Sequence, residues 1–250
     1  MFKSIYVFFC FVVLLMTSDL SAERYFLHLR DNLQKAQPGD YIITSQGKNY
    51  SLLHIYSKND QTLTIEEISI PASKIPKSNF SWPTWLMNHA PGYTSWVLYT
   101  IDLSTGNFIH FYSYTRGKWY ELTAPDNFLS MLLNVRFDFI PLDQRRRIGI
   151  TLRTGPYDKR PYWEPHMVVN GQTVQGVRFD AWKATWPKDG SELAGKTIEV
   201  YLPEEGLNYP AYFPYWLQIS GVVGSAKIRI VDSGTGLTSP NNLPFFPRKL

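Results

Sequence analysis

Segments rich in β-branched and aromatic residues recur along this sequence, and the turns between them are only about four residues long. Tyr50–Tyr56 and Leu63–Ile70 flank one such turn, and Trp96–Leu103 and Phe108–Tyr114 flank another. Parallel neighbours need a crossover of roughly a dozen residues or more, which these turns cannot supply. The sequence therefore predicts antiparallel strands joined as hairpins and meanders.

Two segments have helical rather than strand periodicity. In Arg24–Ala36, the apolar residues Phe26, Leu29 and Leu33 lie at i, i+3 and i+7, on one face of a helix. Pro125–Phe137 has similar apolar spacing near the middle of the chain. We therefore predict an α+β fold with an N-terminal helix, a second helix near the middle and predominantly antiparallel β structure. The other predicted strands are Asp40–Thr44, Ile148–Leu152, Met167–Val169, Gln172–Val174, Val177–Trp182, Lys196–Leu202, Tyr215–Ile219 and Lys227–Val231.

The first 22 residues have the layout of a secretory signal peptide. Lys3 gives a positive start, Ile5–Met16 is an unbroken apolar run of 12 residues, and a polar stretch ends at the small residue Ala22. Twelve helical residues span about 18 Å, well short of a ~30 Å bilayer core, so a cleaved signal is favoured over a membrane anchor. We predict that residues 23–250 form a single predominantly β domain with an irregular tail at about residues 233–250.

Cleavage would also remove Cys10, the only cysteine of the chain. The mature protein would then form no internal disulfide and use no thiolate as a nucleophile or metal ligand. Small eukaryotic secreted domains are commonly rich in disulfides, so this composition favours a bacterial envelope protein. The predicted location is the periplasm of a Gram-negative bacterium, with the extracellular space as the second choice.

Composition excludes several classes of protein. Hydrophobic residues make up 44%, aromatic residues 16% and charged residues only 18%, which is not the composition of a disordered chain. A formal charge of +4 on 250 residues is too small to indicate nucleic-acid binding. The densest basic run, Gln144–Arg147, is short and is interpreted as a solvated turn.

No complete catalytic or metal-binding motif is present. The sequence lacks Gly-x-Ser-x-Gly and His-Glu-x-x-His, and its five histidines are scattered, so each is interpreted as a surface or core residue. Glu66 and Glu67 are neighbours in a predicted strand and should point to opposite faces, so they cannot share a site. Glu164 and His166 are the one candidate catalytic pair. We predict no cofactor and no metal, and we favour a binding protein over an enzyme.

Aromatic side chains are the most prominent chemical feature of the mature chain, which keeps all eight tryptophans. Aromatic rings stack on sugars and line lipid cavities, and they also fill the interior of large β proteins. Pro71–Tyr93 carries Trp82 and Trp85 and interrupts the strands, with at most one helical turn at Trp85–His89. A segment of this length is either a binding loop or a structural loop whose tryptophans plug the core.

Three segments resemble the periplasmic class of proteins that sort lipoproteins to the bacterial outer membrane. They are Gly39–Ile43 (GDYII), Leu98–Phe111 (LYTIDLSTGNFIHF) and Leu193–Lys196 (LAGK), and the order of the predicted elements is also similar. The similarity covers about half of the chain. It implies a curved sheet that forms an open or half-closed barrel, with helices over its mouth, and it assigns no functional residue.

A half-barrel of this kind would contain a hollow, and small-molecule sites are concave and mostly apolar. The primary hypothesis is therefore a non-enzymatic exported protein that binds a lipid or another apolar ligand there. The candidate ligand neighbours are Trp82, Trp85, Tyr99, Phe111 and Tyr112. Phe111 and Tyr112 should face opposite ways, so only one of them can line the hollow.

Two alternatives stay open. One is a carbohydrate-binding or cell-wall-associated module that uses exposed tryptophans, and the other is a hydrolase of unrecognised type that uses Glu164 and His166. The predicted partner is an apolar small molecule or lipid, with no nucleic acid and no transmembrane anchor after cleavage. The sequence does not indicate an oligomeric state.

Overall fold

A computed structural model describes residues 26–76, 78, 80–120, 128–150, 158–206, 208–221 and 225–245, and the predicted signal peptide (residues 1–22) lies outside them. Within the described residues the α-helices are α1 (Leu29–Asn32), α2 (Trp82–Met87) and α3 (Phe128–Asn134). The strands are β1 (Phe26–Leu27), β2 (Tyr41–Gln46), β3 (Asn49–Lys58), β4 (Thr62–Pro71), β5 (Ser95–Asp102), β6 (Phe108–Ser113), β7 (Lys118–Tyr120), β8 (Phe137–Phe139), β9 (Met167–Val169), β10 (Gln172–Val174), β11 (Phe179–Thr185), β12 (Thr197–Pro203), β13 (Trp216–Ser220) and β14 (Ser225–Gly234).

Twelve of these strands form one sheet in the order β1-β8-β11-β12-β13-β14-β2-β3-β4-β5-β6-β7. Every adjacent pair is antiparallel, which confirms the predicted α+β class with predominantly antiparallel strands. Strands β9 and β10 form a separate hairpin. Its turn residues, Asn170 and Gly171, have φ angles of 51° and 76°, as a type I′ turn requires.

One apolar core joins the two halves of the large sheet. This inner core contains Leu63 and Ile65 of β4 together with Ile198 and Val200 of β12. Four strands separate β4 from β12 in the sheet, so the two can share a core only if the sheet curves around it. The terminal strands β1 and β7 do not pair with each other, so the curved sheet stays open and does not close into a barrel.

Helices α1 and α3 pack into this inner core. Leu29 of α1 is buried there with Leu33 of the following 3-10 turn, and Leu132 and Leu133 of α3 are buried beside them. Helices of four and seven residues are far too short to be stable alone in water. Their apolar contacts with the sheet therefore hold them in place, at roughly 1.5–3 kcal/mol for each fully buried leucine.

The opposite face of strands β2–β5 carries a second apolar core, here called the outer core. Ile68 follows Ile65 by three residues and therefore points to the other side of β4. Helix α2 covers this face with Trp82, Trp85 and Leu86. The outer core also contains Tyr41, Ile43, Leu52, Ile70, Ala90, Trp96 and Leu237.

Helix α2 is longer than the single turn predicted at Trp85–His89. It starts at Trp82 because Ser81 caps it, with the Ser81 hydroxyl accepting a hydrogen bond from the Thr84 N–H at 3.3 Å. Pro83 lies in the first turn, where its missing N–H has no helical partner to lose. The serine and proline were therefore a start signal that apolar spacing alone did not reveal.

Three of the sequence predictions were wrong in extent. The N-terminal helix predicted over Arg24–Ala36 is shorter, because residues 26 and 27 form β1 and pair with β8. The helix predicted over Pro125–Phe137 ends at Asn134, because Phe137 starts β8, and residues 125–127 lie outside the described part. Residues 148–150 of the predicted strand Ile148–Leu152 are not in a strand, although Arg147 makes one isolated bridge to Tyr162.

Replacement of Trp85 tests whether the tryptophans of α2 plug the outer core. Trp85 is buried against Trp82, with their ring centroids 5.6 Å apart, and its indole N–H donates to the Pro91 carbonyl at 3.0 Å. We expect Trp85→Ala to lower the free energy of unfolding by about 3–5 kcal/mol in urea titrations. Met87→Ala is the matched control, since Met87 lies on the same helix but is exposed, and should cost less than ~0.5 kcal/mol. Equal effects of the two substitutions would contradict the packing described here.

Candidate functional site

The structure divides the five predicted ligand neighbours among three places. Trp82 and Trp85 belong to the outer core. Tyr99 and Phe111 pair across β5 and β6 and pack in the inner core. Tyr112 faces the other way, with its ring 5.0 Å from that of Tyr114 and 5.1 Å from that of Trp119. The five side chains therefore do not converge on one cavity, and the opposite orientation expected of Phe111 and Tyr112 is present.

Trp82 lines a groove of about 500 Å³ between α2 and the β9–β10 turn. Asn170 and Asp232 supply the polar side of this groove. Asp232 accepts hydrogen bonds from the backbone N–H groups of Gly171 and Ser233, at 3.0 and 2.9 Å. Burial raises the pKa of Asp232, and these two hydrogen bonds oppose that shift.

The proposed catalytic pair has an open setting. Glu164 and His166 are both exposed, in the irregular segment that precedes β9. Functional acids and bases are usually enclosed in clefts, where burial and neighbouring charges shift their pKa values. A catalytic role for the two residues remains a prediction from the sequence.

The open side of the curved sheet carries two adjoining cavities, here called together the mouth groove. The first has a volume of about 390 Å³ and lies between α1 and the strands β11 and β12. It is lined by Phe26, Leu27, Asn32, Lys35, Asp180, Trp182, Leu202, Pro203, Glu204, Glu205 and Ala211. The second has a volume of about 670 Å³ and is lined by Lys35, Gln37, Pro38, Asp40, Glu205, Gly206, Tyr209, Pro210, Ala211, Tyr212 and Thr235.

An ion pair between Lys35 and Glu205 lies where the two cavities meet, since both residues line both of them. The two side chains are exposed, and an exposed ion pair contributes only about 0–1 kcal/mol. Hydrogen bonding and charge interaction with Lys35 lower the pKa of Glu205, so its carboxylate is ionised at neutral pH. Separation of the two side chains would therefore cost little.

Asp40 fixes the polar end of the mouth groove. Its carboxylate accepts hydrogen bonds from the Gln37 backbone N–H and from the Tyr212 hydroxyl, both at 2.9 Å. Burial raises the pKa of Tyr212, and the nearby Asp40 charge raises it further, so the phenol keeps its proton and acts as the donor. Asp40 lies in a segment quoted for the family resemblance, but Tyr212 is 172 residues away, so local sequence could not identify the pair.

A buried acid–imidazole pair lies beneath the outer face of β3 and β4. His54 Nδ1 is 3.0 Å from a Glu66 carboxylate oxygen, and His54 Nε2 donates to the Leu237 carbonyl at 3.0 Å. Trp96 Nε1 and the Ser239 hydroxyl each donate to the other Glu66 oxygen at 2.8 Å. Because a carbonyl only accepts, Nε2 must carry a proton, and a second proton lies between Nδ1 and Glu66.

This arrangement confirms that the Glu66 and Glu67 side chains point to opposite faces. Both nitrogens of the His54 ring are occupied by acceptors, so the ring has no free lone pair with which to act as a base. The pair is therefore a structural one in this conformation. Burial raises the pKa of Glu67 on the other face.

The basic run at residues 144–147 is not the solvated turn that the sequence suggested. Arg146 makes a two-pronged contact with the Glu199 carboxylate, at 2.9 and 2.5 Å. Arg145 donates to Asp180 at 3.1 Å and is largely buried. Arg147 stacks over the Tyr162 ring, 4.1 Å from its centroid. Arg145 and Arg146 fasten the irregular segment to β11 and β12, and Arg147 ties two parts of that segment together, so the three guanidinium groups are not a free basic surface.

Two further features bear on possible sites. Within the described residues, no group of three or more His, Cys, Asp or Glu side chains is arranged to hold a metal ion. Of the helices in the same residues, none is long and apolar enough to cross a bilayer.

Comparison with known proteins identifies the family. The sequence pattern of the CT021 protein family matches residues 51–175, which is half of the chain. This chain belongs to the CT021 protein family. The matched stretch begins in β3 and ends just after β10, so it includes the acid–imidazole pair and α2. No curated protein matches the chain.

Two solved structures are similar to this CT021-family chain. The 2.0 Å structure of the hypothetical protein CT021 from Chlamydia trachomatis covers 88% of this chain and 99% of its own, at 19% identity and a TM-score of 0.60. At that identity the likeness shows the fold alone. LprF from Mycobacterium bovis covers 85% of this chain and 96% of its own, at 10% identity and a TM-score of 0.33, too low to bear on fold or function. Membership of the lipoprotein-sorting class stays a prediction.

Removal of the Glu66 carboxylate tests the buried network of this family member. Glu66→Ala leaves the donors on His54, Trp96 and Ser239 buried without their acceptor. We expect the free energy of unfolding to fall by about 3–5 kcal/mol in urea titrations followed by tryptophan fluorescence. Glu192→Ala, at an exposed position, is the control and should change it by less than ~0.5 kcal/mol. A loss below about 1 kcal/mol for Glu66→Ala would show that water replaces the carboxylate without difficulty.

Proposed function

We propose that this protein binds an amphipathic small molecule, such as a single-chain lipid, in the mouth groove and does not transform it chemically. The observation that supports this most directly is that two cavities of mixed polar and apolar lining adjoin at the exposed Lys35–Glu205 ion pair. The first cavity offers the apolar surfaces of Phe26, Trp182 and Leu202, and both cavities also carry polar side chains. An amphipathic ligand needs this combination along one groove.

The sizes of the cavities favour a small ligand. Small-molecule sites have volumes of roughly 300–1,000 Å³, and the cavities of about 390 and 670 Å³ fall within that range. Lys35 offsets the charge of Glu205, so Asp40 is the carboxylate of the second cavity without a cationic partner among the described residues, and a headgroup with an amine or hydroxyl donor fits better than a free fatty acid. The apolar part of the ligand would lie on Phe26, whose side chain is 43% exposed without it.

The placement of the tryptophans does not favour the carbohydrate-binding alternative. A sugar platform presents an open indole face, but four of the eight tryptophans are buried and the other four are only partly exposed. The groove beside Asp232 is the place where a sugar would bind under this alternative, and there Trp82 is about nine-tenths buried. Sugar binding would therefore need a rearrangement of α2.

Export to the periplasm is part of the same proposal. It rests on the signal-like segment at residues 1–22, with its positive start and its apolar run of 12 residues. A protein in that compartment meets lipids and lipoproteins of both envelope membranes. A soluble carrier or sensor of single-chain lipids is a role that the mouth groove would suit.

Replacement of Phe26 tests the mouth groove. We expect Phe26→Ala to weaken binding of NBD-labelled lysophosphatidylethanolamine by about tenfold, measured by fluorescence titration, because the ligand loses roughly 1.4 kcal/mol of apolar contact. Phe128→Ala is a matched control, since Phe128 is 38% exposed and stacks on Trp186 away from the groove. The free energy of unfolding of each variant should lie within about 1 kcal/mol of that of the unaltered protein. Equal loss of binding in the two variants, or no saturable binding by the unaltered protein, would overturn the site.

Intact mass of the protein recovered from an envelope fraction tests export. The expected species starts at Glu23, because a small residue at Ala22 favours cleavage there. Substitution of Ala22 by a bulky residue such as Trp should leave an uncleaved, membrane-associated precursor. A full-length cytoplasmic species from the unaltered gene would exclude the proposed location.

A further inference from the structure

The segment after β14 crosses the outer face of the sheet without forming helix or strand. Leu237 is buried in the outer core and its N–H donates to the Gly39 carbonyl at 2.9 Å. From there the described tail, residues 238–245, passes from β3 towards the edge strand β7. Four strand spacings amount to ~19 Å, and eight extended residues reach up to ~26 Å, so the tail is long enough to cross these strands even with the bend at residues 240 and 241.

Side chains of the sheet hold this tail by its backbone carbonyls. The Tyr56 hydroxyl donates to the Asn241 carbonyl at 3.1 Å, and the Tyr114 hydroxyl donates to the Asn242 carbonyl at 3.0 Å. At the sheet edge, Trp119 Nε1 donates to the Phe245 carbonyl at 3.0 Å. The ring of Tyr112 lies between those of Tyr114 and Trp119. These four aromatic residues form what we call the aromatic groove.

The tail contributes few side-chain contacts of its own beyond Ser239. Leu243 and Phe245 are 55% and 84% exposed, so their apolar side chains point away from the groove. Because the Tyr and Trp donors bind backbone carbonyls, the groove can accept segments of many different sequences, provided that the bound segment is extended. Pro240 and Pro244 favour that conformation and have no N–H group that the groove would leave unpaired.

We propose that the aromatic groove is a binding site for extended, proline-containing polypeptide, filled here by the chain's own tail and available to a similar segment of a partner protein. Because the tail belongs to the same chain, it competes with a partner segment for the groove at a millimolar effective concentration. The hydrogen bonds that hold residues 241–245 are neutral and lie at or near the surface, so release is reversible. The exposed Leu243 and Phe245 give the partner a first point of contact before exchange. This site is independent of the mouth groove.

A shortened chain exposes the groove for a direct test. A chain that ends at Pro240 keeps Leu237 and Ser239, and with them the contacts to His54 and Glu66. We expect it to bind a fluorescent peptide with the sequence of residues 241–250 saturably, with a Kd between about 10 and 100 µM in anisotropy titrations. The full chain should bind the same peptide at least tenfold more weakly, because its own tail fills the groove.

Substitutions in the shortened chain locate the binding. Tyr114→Phe combined with Trp119→Phe removes two donors but leaves an aromatic ring at each position, and should weaken peptide binding at least tenfold. Tyr209→Phe, in the mouth groove, is the matched control and should leave the affinity unchanged. The same peptide with Pro244 and Pro247 replaced by alanine should bind at least fivefold more weakly than the natural sequence. Equal affinity for the full and shortened chains, or no effect of the double substitution, would overturn the proposal.

Two further measurements keep the proposal testable if the shortened chain does not fold. In the full chain, the double substitution Tyr114→Phe/Trp119→Phe should release the tail, so that chymotrypsin cleaves after Phe245 at least fivefold faster. The melting temperature should stay unchanged. An unchanged cleavage rate would contradict the proposal that these two residues hold the tail. Sedimentation of the full chain should show a monomer. A concentration-dependent dimer that disappears on truncation would mean that a second copy supplies the segment, which would overturn the assignment to a partner protein.

Discussion

The inner core is the constraint on which the remaining structure depends. Leucine and isoleucine side chains from both halves of a twelve-stranded sheet are buried against each other and against two short helices. A flat sheet of this width would leave those side chains in water, so burial of the inner face provides the driving force for curvature. Because α1 and α3 occupy the concave side, the space left for a ligand lies at the mouth beside α1 and not in the centre of the sheet.

The outer face has a different chemistry, built around one carboxylate. Glu66 is fully buried and is compensated by donors from three directions. His54 connects this carboxylate to the Leu237 carbonyl, so the segment that follows β14 is joined to strands β3 and β4 through the same buried hydrogen bonds. Burial of the Glu66 side chain has a desolvation cost, but loss of one of its hydrogen-bond donors would cost more. The network therefore favours this one arrangement of the chain over others.

Much of the sheet could be predicted from sequence because its strands are long, alternate in polarity and are joined by short turns. Tyr50–Tyr56 and Leu63–Ile70 were located to within two residues of β3 and β4 at each end. The three-residue strands β9 and β10 were located because the Asn170–Gly171 turn between them marks a hairpin. Strands β1, β7 and β8 were not predicted, because two or three residues carry no periodicity and exist only through pairing. The first of them also displaced the start of the predicted N-terminal helix.

The candidate sites were harder to predict, since each one joins distant parts of the chain. Tyr99 and Phe111 were expected to line a hollow, but alternation cannot distinguish a cavity wall from a packed core. Tyr112 was nominated for the same hollow, yet it lies in the aromatic groove beneath the tail. The interaction between Asp40 and Tyr212 spans 172 residues, a separation at which a single sequence carries no signal.

The lengths of the two edge strands bear on how the molecule behaves at high concentration. An open sheet presents unpaired N–H and C=O groups along each edge, and long edges of this kind recruit other chains. Within the described residues the edges are strands of two and three residues, β1 and β7, and the second carries Lys118. The described part of each edge is therefore a short template for another strand. A protein with an uncapped twelve-stranded sheet can in this way stay dispersed, and it should resist fibril formation as long as these two short strands remain in place.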